Sequence, residues 1–221
     1  MADLDSIKRI AKTLIDAVPI EGGLVVSHPF TQSNFVYVNN SILDLTKRED
    51  YLVWRDKLYE MIDSCKNFFS LYIFVTKPYK LVFLKYTKEY MDKDLFSEVL
   101  KEAYISTEFP NKDVNVSVSE LKKWFKEADK TKLMTKDELS VYEKLPDTVT
   151  IYRGVTDLKG ARGLSWTLNK DTAQWFSTRF HPQQSYVLYA KIPKQKIFAY
   201  FGDRNEYEVV VDTTRLKYEV M

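Results

Sequence analysis

Strand-like segments are concentrated in the final third of the 221-residue chain, and this separation constrains the fold more than any other feature. Five segments rich in β-branched and aromatic residues are predicted as strands over residues 149–153, 163–167, 185–192, 196–200 and 207–212. One helix is predicted among them over residues 170–180, with Asn169 as its N-cap. Because the segments before residue 149 are mostly helical, this order predicts an α+β fold rather than alternating βαβ units.

Helical periodicity dominates the preceding part of the chain. Apolar residues recur at helical spacing over residues 7–18, 47–66 and 95–104. Two capping-box patterns, Ser117 with Glu120 and Thr135 with Glu138, predict two further helix starts. Short strands are predicted over residues 24–26, 35–38 and 68–76, whereas residues 80–90 suit either a strand or a helix. We therefore expect a smaller α+β region over residues 1–90 and a main domain over residues 91–221.

Several aromatic residues of the predicted helices are expected in the hydrophobic core. Trp124 and Phe125 fall on the apolar face of the helix that follows Ser117. Trp175 and Phe176, in the helix among the strands, are also predicted as core residues.

Composition excludes several classes of function. The net charge of +2 gives no argument for wholesale nucleic-acid binding, although it leaves room for a local basic patch. With one cysteine, Cys65, no internal disulfide can form, which favours a reducing cytoplasm, and Cys65 itself is predicted to be buried. The only two histidines are far apart in sequence, so no metal site is expected. No apolar run of membrane-spanning length and no signal-peptide pattern occurs, so we expect a cytoplasmic protein without membrane contact.

Two carboxylates stand two residues apart where the last predicted strand begins. Glu206 and Glu208 precede three consecutive valines, and alternate residues of a strand point to one face. Like charges on one sheet face repel each other, so paired acids in such a place suggest proton or cation chemistry. The alternative is an edge strand with a solvated acidic end, and the spacing alone favours that alternative.

Two other predicted strands carry polar groups suited to a ligand. Arg153 ends the first strand and is followed by Gly154, so a planar five-donor guanidinium lies where the backbone could approach a ligand. A phosphate or a carboxylate is the natural partner of such a group. In the second strand, Ser165 and Thr167 are predicted to share one face.

These three segments together resemble the signature of the mono-ADP-ribosyltransferases of the Arg-Ser-Glu class, in their bacterial and phage forms. Arg153, the segment Ser165-Trp166-Thr167 and the segment Glu206-Tyr207-Glu208 follow in the order of that signature, and the resemblance covers residues 149–212. It implies a split β-sandwich preceded by helices. Trp166 and Thr167 depart from the Ser-Thr-Ser-like element of the family, so Ser165 alone carries over directly.

The resemblance also implies a role for each site residue. Glu208 would stabilise the oxocarbenium-like state formed when nicotinamide leaves NAD, and Ser165 would hold Glu208 in place. Arg153 would bind the NAD phosphates, and Glu206 would help to deprotonate the acceptor. Gly154, Trp166 and Thr167 would line the NAD site. NAD would thus be a substrate, and no metal is implied.

Two loops are further candidates for binding. Arg179 and Phe180 follow the predicted helix and could reach the phosphates and nicotinamide, although an ordinary helix exit explains them equally well. In the family, the loop before Glu-x-Glu recognises the target, which makes Phe201 the candidate recognition residue.

Glutamate at the first position of Glu-x-Glu implies an arginine side chain of a target protein as the acceptor. A nucleic-acid acceptor remains an alternative, because nucleic acids are also modified within the superfamily. A further alternative is a catalytically silent protein of the same fold that binds and blocks a partner. NAD hydrolysis without transfer is the remaining alternative.

Overall fold

The computed structural model describes residues 2–23, 26–202 and 204–221 of the chain. These residues form two compact units, Met1–Pro110 and Asn111–Met221. The fold is mixed α+β, which confirms the predicted class. Of the strand predicted over residues 24–26, Leu24 and Val25 lie outside the described residues, and Val26 is not in a strand.

The first unit is mainly helical. Its elements are α1 (Leu4–Ala17), β1 (Phe35–Val38), β2 (Ser41–Asp44), α2 (Arg48–Ser64), α3 (Phe68–Tyr72), α4 (Lys80–Thr87) and α5 (Lys93–Ser106). Strands β1 and β2 form an antiparallel hairpin. Its two turn residues, Asn39 and Asn40, have φ angles of 49° and 62°. A tight two-residue hairpin turn requires this left-handed backbone conformation at both positions. Helix α5 packs on α4, so the division between the units falls after Pro110 rather than after residue 90.

One predicted strand of this unit is wrong. Residues 68–76 were expected in a strand because they are rich in aromatic and β-branched residues, but they begin with helix α3. The Asn67 side chain accepts a hydrogen bond from the Ser70 amide, and the Ser70 hydroxyl accepts one from the Asn67 amide. This reciprocal capping starts a helix and overrides a weak strand propensity. Residues 80–90, which suited either state, are helical, and Cys65 is buried as predicted.

Along the described part of the second unit, α-helices come first and strands follow, with one α-helix among the strands. Its elements are α6 (Val118–Glu127), α7 (Lys130–Leu133), α8 (Lys136–Glu143), β3 (Thr148–Val155), β4 (Ser165–Thr167), α9 (Lys170–Thr178), β5 (Tyr186–Pro193), β6 (Ile197–Phe201), β7 (Glu208–Val211) and β8 (Glu219–Val220). Both capping boxes and the Asn169 N-cap are present as predicted. Strand β8 was not predicted.

The strands of this unit form one antiparallel sheet in the order β6-β7-β4-β3-β5-β8. Strands β3 and β5 pair along their whole length, and β4 and β7 pair over three positions. Between these two halves, β3 and β4 share one paired position, Tyr152 opposite Thr167. Strand β4 ends at Thr167, but in the other direction β3 continues to Val155 and β4 to Ser165 without pairing with each other. The sheet therefore opens on that side, where Arg153 and Ser165 lie.

The core of the second unit lies between the sheet and its helices. Trp124 and Phe125 of α6 are buried, as predicted, and the Phe125 ring stacks on Phe198 of β6 with centroids 6.0 Å apart. Burying such aromatic side chains contributes roughly 1.5–3 kcal/mol each to the stability of the fold. By contrast, Trp175 of α9 is 56% exposed and Phe176 is partly exposed, so the prediction that they are core residues is wrong.

Helix α9 lies directly against strand β3 at Gly154. A Cβ atom at residue 154 would stand 2.5 Å from the Ser177 amide nitrogen and closer still to the carbonyl oxygen of Ala173. Both are backbone atoms of α9, so only glycine allows this approach. Gly154 was predicted to let a ligand approach the backbone; the structure fills that space with the helix.

Candidate functional site

The three segments singled out in the sequence lie on three adjacent strands. Arg153 is on β3, Ser165 and Thr167 are on β4, and Glu208 begins β7, in the sheet order β7-β4-β3. Thr167 is directly opposite Glu208 in the β4–β7 pairing. Residues about 40 and 55 positions apart along the chain are thus brought together by antiparallel pairing.

Glu208 is a buried carboxylate at the centre of this group. Its residue is 7% exposed, and the Ser165 hydroxyl donates a hydrogen bond to it. The Arg204 guanidinium lies 3.3 Å from Glu208 Oε2. Ser165 is thus in hydrogen-bond contact with Glu208, and its role of holding the carboxylate for catalysis stays a prediction.

Burial raises the pKa of the Glu208 carboxyl above its ordinary value, since a charged group loses hydration there. The Ser165 hydrogen bond and the positive charges of Arg204 and Arg153 offset part of this rise, whereas the neighbouring charge of Glu206 adds to it. A buried carboxylate with a raised pKa, in contact with one guanidinium and close enough to feel the charge of a second, is an arrangement typical of functional sites.

The Arg153 side chain is held by the backbone around it. Its Nε donates a hydrogen bond of 2.9 Å to the Gly160 carbonyl, and Nη1 donates to the Ser165 carbonyl. A Cβ atom at residue 163 would stand 2.8 Å from Arg153 Cζ, so Gly163 leaves room for the guanidinium. These contacts fix the plane of the guanidinium beside the strand that carries Ser165.

Glu206 lies beside Glu208, but regular strand alternation does not put it there. Strand β7 begins only at Glu208, because Asn205 and Tyr207 have φ angles of 55° and 50°. A positive φ at an aromatic residue is an unfavourable backbone conformation, which the surrounding fold must maintain. The Arg204 guanidinium bridges the two acids, with Nη2 3.0 Å from Glu206 Oε2 and 3.3 Å from Glu208 Oε2.

Thr167 contributes to the site through the backbone. Its hydroxyl donates a 2.6 Å hydrogen bond to the Glu206 carbonyl and accepts one from the Asn169 amide. Through these two hydrogen bonds, Thr167 links the backbone at Glu206 to the N-cap residue of helix α9.

Two residues that were predicted to bind ligand or target are buried instead. Trp166 is 2% exposed, and its indole N–H donates a hydrogen bond to the Gly163 carbonyl, so it stabilises the turn next to Arg153 rather than lining a surface for NAD. Phe201 is the last residue of β6 and is 3% exposed. It therefore does not lie in the loop before Glu206. Tyr207, which is 43% exposed, is an aromatic group that this segment does present to solvent.

Arg179 and Phe180 form an exposed cluster at the end of α9. The Arg179 guanidinium carbon lies 4.9 Å from the ring centroid of Phe176 and 4.5 Å from that of Phe180. Phe180 is 61% exposed. Their predicted contact with NAD stays a prediction.

Sequence reasoning missed two residues of this region. Arg204 was noted only as part of a loop, although a cation two and four residues before two acids is a signal for local ion pairs. Glu138 was recognised only as a capping-box residue. Glu138 is 4% exposed as a residue, and its carboxylate also accepts a 2.9 Å hydrogen bond from the amide of Gly202, the residue where the segment leading to Glu206 starts. No sequence signal reveals that long-range contact.

Replacing Glu138 by alanine is expected to destabilise the second unit by about 2–3 kcal/mol. The change leaves the amides of Thr135 and Gly202 without the carboxylate that accepts from both. Urea unfolding followed by tryptophan fluorescence measures the loss. Glu143→Ala, an exposed position on the same helix, is the control, and equal stability of both variants would refute the role of Glu138.

Comparison of the chain with protein-family models, with curated proteins and with solved structures finds no match. Two cavities of about 280 Å³ and 410 Å³ belong to the first unit, and neither is lined by a residue of the candidate site. Within residues 2–23, 26–202 and 204–221, no helix has the length and apolar character needed to cross a membrane. The same residues contain no cluster of three or more His, Cys, Asp or Glu side chains suited to a metal ion.

Proposed function

We propose that the chain is a NAD-dependent mono-ADP-ribosyltransferase, which transfers ADP-ribose to an arginine side chain of a target protein and releases nicotinamide. The observation that carries the proposal is the convergence of Arg153, Ser165 and Glu208 on adjacent strands, with the Ser165 hydroxyl bonded to the buried Glu208 carboxylate. The sheet that opens between β3 and β4 supports an ADP-ribosyltransferase-like split β-sandwich for the second unit.

The residues present suit this chemistry. Breaking the bond between nicotinamide and ribose develops positive charge on the ribose, and the Glu208 carboxylate would stabilise it selectively. Ser165 would orient Glu208, and Arg153, with its plane fixed by two carbonyls, would bind a phosphate. Glu206, which lies within reach of the same guanidinium as Glu208, would accept a proton from the incoming arginine.

The test is incubation of the purified chain with labelled NAD and a cell lysate, with Glu208→Ala in parallel. We expect nicotinamide release and labelled protein, both lost in the variant. Label that nuclease removes would show a nucleic-acid acceptor instead. Free ADP-ribose without labelled macromolecules would show hydrolysis, and no nicotinamide release at all would refute the proposal in favour of a catalytically silent binding protein. A bacterial or phage-infected cytoplasm is the proposed setting.

Replacing Arg153 by alanine is expected to raise KM for NAD by about 10–100-fold, since a charged contact to phosphate contributes roughly 1.5–3 kcal/mol. Initial rates of nicotinamide release over a range of NAD concentrations measure the effect. Arg162→Ala, an exposed arginine nearby, is the control. An unchanged KM in a folded Arg153→Ala protein would remove Arg153 from phosphate binding.

A further inference from the structure

The Arg204 side chain occupies the position between the two acids of the candidate site. Its Nη2 atom lies 3.0 Å from Glu206 Oε2 and 3.3 Å from Glu208 Oε2. Its side chain is 49% exposed, whereas those of Glu206 and Glu208 are 25% and 9% exposed. Arg204 therefore covers the acids from the solvent side, and its guanidinium is already in contact with both.

A guanidinium held against these two acids has the chemistry and the place of the proposed acceptor. An incoming arginine would need one nitrogen near Glu206, for loss of a proton, and near the ribose carbon that Glu208 stabilises. Arg204 presents such a nitrogen from within the chain. We propose that Arg204 is an internal acceptor, which the protein modifies with ADP-ribose on its own guanidinium; this inference rests on the proposed transferase function.

The step balances with NAD as the only co-reactant. The bond between the ribose carbon and the nicotinamide nitrogen breaks, and its electron pair leaves with nicotinamide. A bond forms between that ribose carbon and an Nη atom of Arg204. One proton of the guanidinium passes to the Glu206 carboxylate and then to solvent, and the guanidinium keeps its positive charge.

The local backbone around Arg204 favours a reaction within one molecule. Arg204 precedes Asn205 and Tyr207, whose positive φ angles turn the chain back on itself ahead of β7. The acceptor is therefore tethered next to the acids, and a tethered group reacts at a high effective concentration. The attached ADP-ribose would add bulk and negative charge beside Glu206 and Glu208, so the reaction should slow modification of other acceptors.

The experiment is peptide mapping by mass spectrometry of the full chain after incubation with NAD. Agmatine, a small guanidino compound, serves as an external acceptor, and nicotinamide release is measured in the same samples. We expect ADP-ribose on the peptide that contains Arg204, formed at a rate per molecule that does not change with protein concentration. The label should be absent at residue 204 in Arg204→Lys and retained in Arg215→Lys, an exposed arginine of the same unit.

The outcomes separate this inference from the proposed function. Nicotinamide release or agmatine modification by the wild-type chain without label on Arg204 would overturn the inference and leave the transferase function intact. A rate per molecule that rises with protein concentration would show modification between molecules and would also overturn it. Absence of nicotinamide release from the wild-type chain would refute both. The wild-type peptide map decides the matter even where Arg204→Lys does not fold.

Discussion

Replacing Glu208 by glutamine is expected to lower NAD turnover by about 10³-fold while NAD still binds. The amide keeps the size of the side chain but cannot stabilise a cationic ribose, and electrostatic stabilisation of this kind contributes roughly 10²–10⁴-fold. Nicotinamide release under saturating NAD measures turnover, and calorimetric titration with NAD measures binding.

The same change at an exposed strand residue provides the control for this loss. Glu219→Gln lies in β8 of the same sheet and should leave turnover unchanged. Turnover of Glu208→Gln equal to the wild-type rate would remove Glu208 from the mechanism. Loss of both NAD binding and turnover would instead show that Glu208 contributes to the binding of NAD before the reaction.

Glu208→Gln is also expected to raise stability at neutral pH. The pKa of Glu208 is raised in the folded state, so the folded chain holds this proton to higher pH than the unfolded chain. The contribution of this group to the free energy of unfolding is therefore fully present at low pH. It falls as the pH rises from the ordinary pKa of the unfolded chain through the raised pKa of the folded chain. Above that range the ionised carboxylate is a net cost, which the neutral amide removes.

The expected gain is about 1 kcal/mol, or a rise of roughly 4 °C in the Tm of the second unit. Thermal unfolding of both proteins at several pH values measures it, and the difference should shrink as the pH falls below the raised pKa. A variant that is less stable than the wild type at neutral pH would show that the hydrogen bond from Ser165 and the contact with Arg204 outweigh the cost of burial.

Replacing Gly154 by alanine is expected to destabilise the second unit by about 3–5 kcal/mol. The added Cβ would overlap backbone atoms of Ala173 and Ser177, and backbone cannot rotate away as a flexible side chain can. Relief requires helix α9 to move off β3, and this movement would also disturb Arg153. Urea unfolding followed by tryptophan fluorescence measures the loss.

Gly22→Ala is the matched control for this change. A Cβ atom there would stand 3.6 Å from the Thr46 side chain, which is an ordinary contact, so its cost should be below about 1 kcal/mol. The two compact units are expected to unfold in separate transitions, and only the transition of the second unit should shift in Gly154→Ala. Equal stability of wild type and Gly154→Ala would mean that α9 does not approach β3 as closely as described.

Sequence patterns predicted those elements whose local signals agree. The capping boxes at Ser117 and Thr135 and the Asn169 N-cap each start a helix, because the capping side chain and the apolar periodicity point to the same state. They failed at residues 68–76, where aromatic residues suggested a strand and the reciprocal cap of Asn67 and Ser70 imposed a helix.

Exposure of individual side chains was predicted less well. Trp175 was assigned to the core because it is large and apolar, yet α9 turns it to the solvent. Phe201 was assigned to an exposed loop, yet β6 extends to it and buries it. In both cases the missing information was which helix or strand packs around the residue. The hydrophobicity of a single residue does not specify this.

By itself, the sequence determined the α+β class, most helix starts and the order of the residues of the candidate site, because caps, periodicity and strand propensity act over a few neighbouring residues. Only the tertiary structure decided that Arg153, Ser165 and Glu208 come together, that Glu138 holds Gly202 and that Arg204 lies against both acids. These contacts depend on strand pairing between distant segments and on burial, which the packing of the whole unit sets.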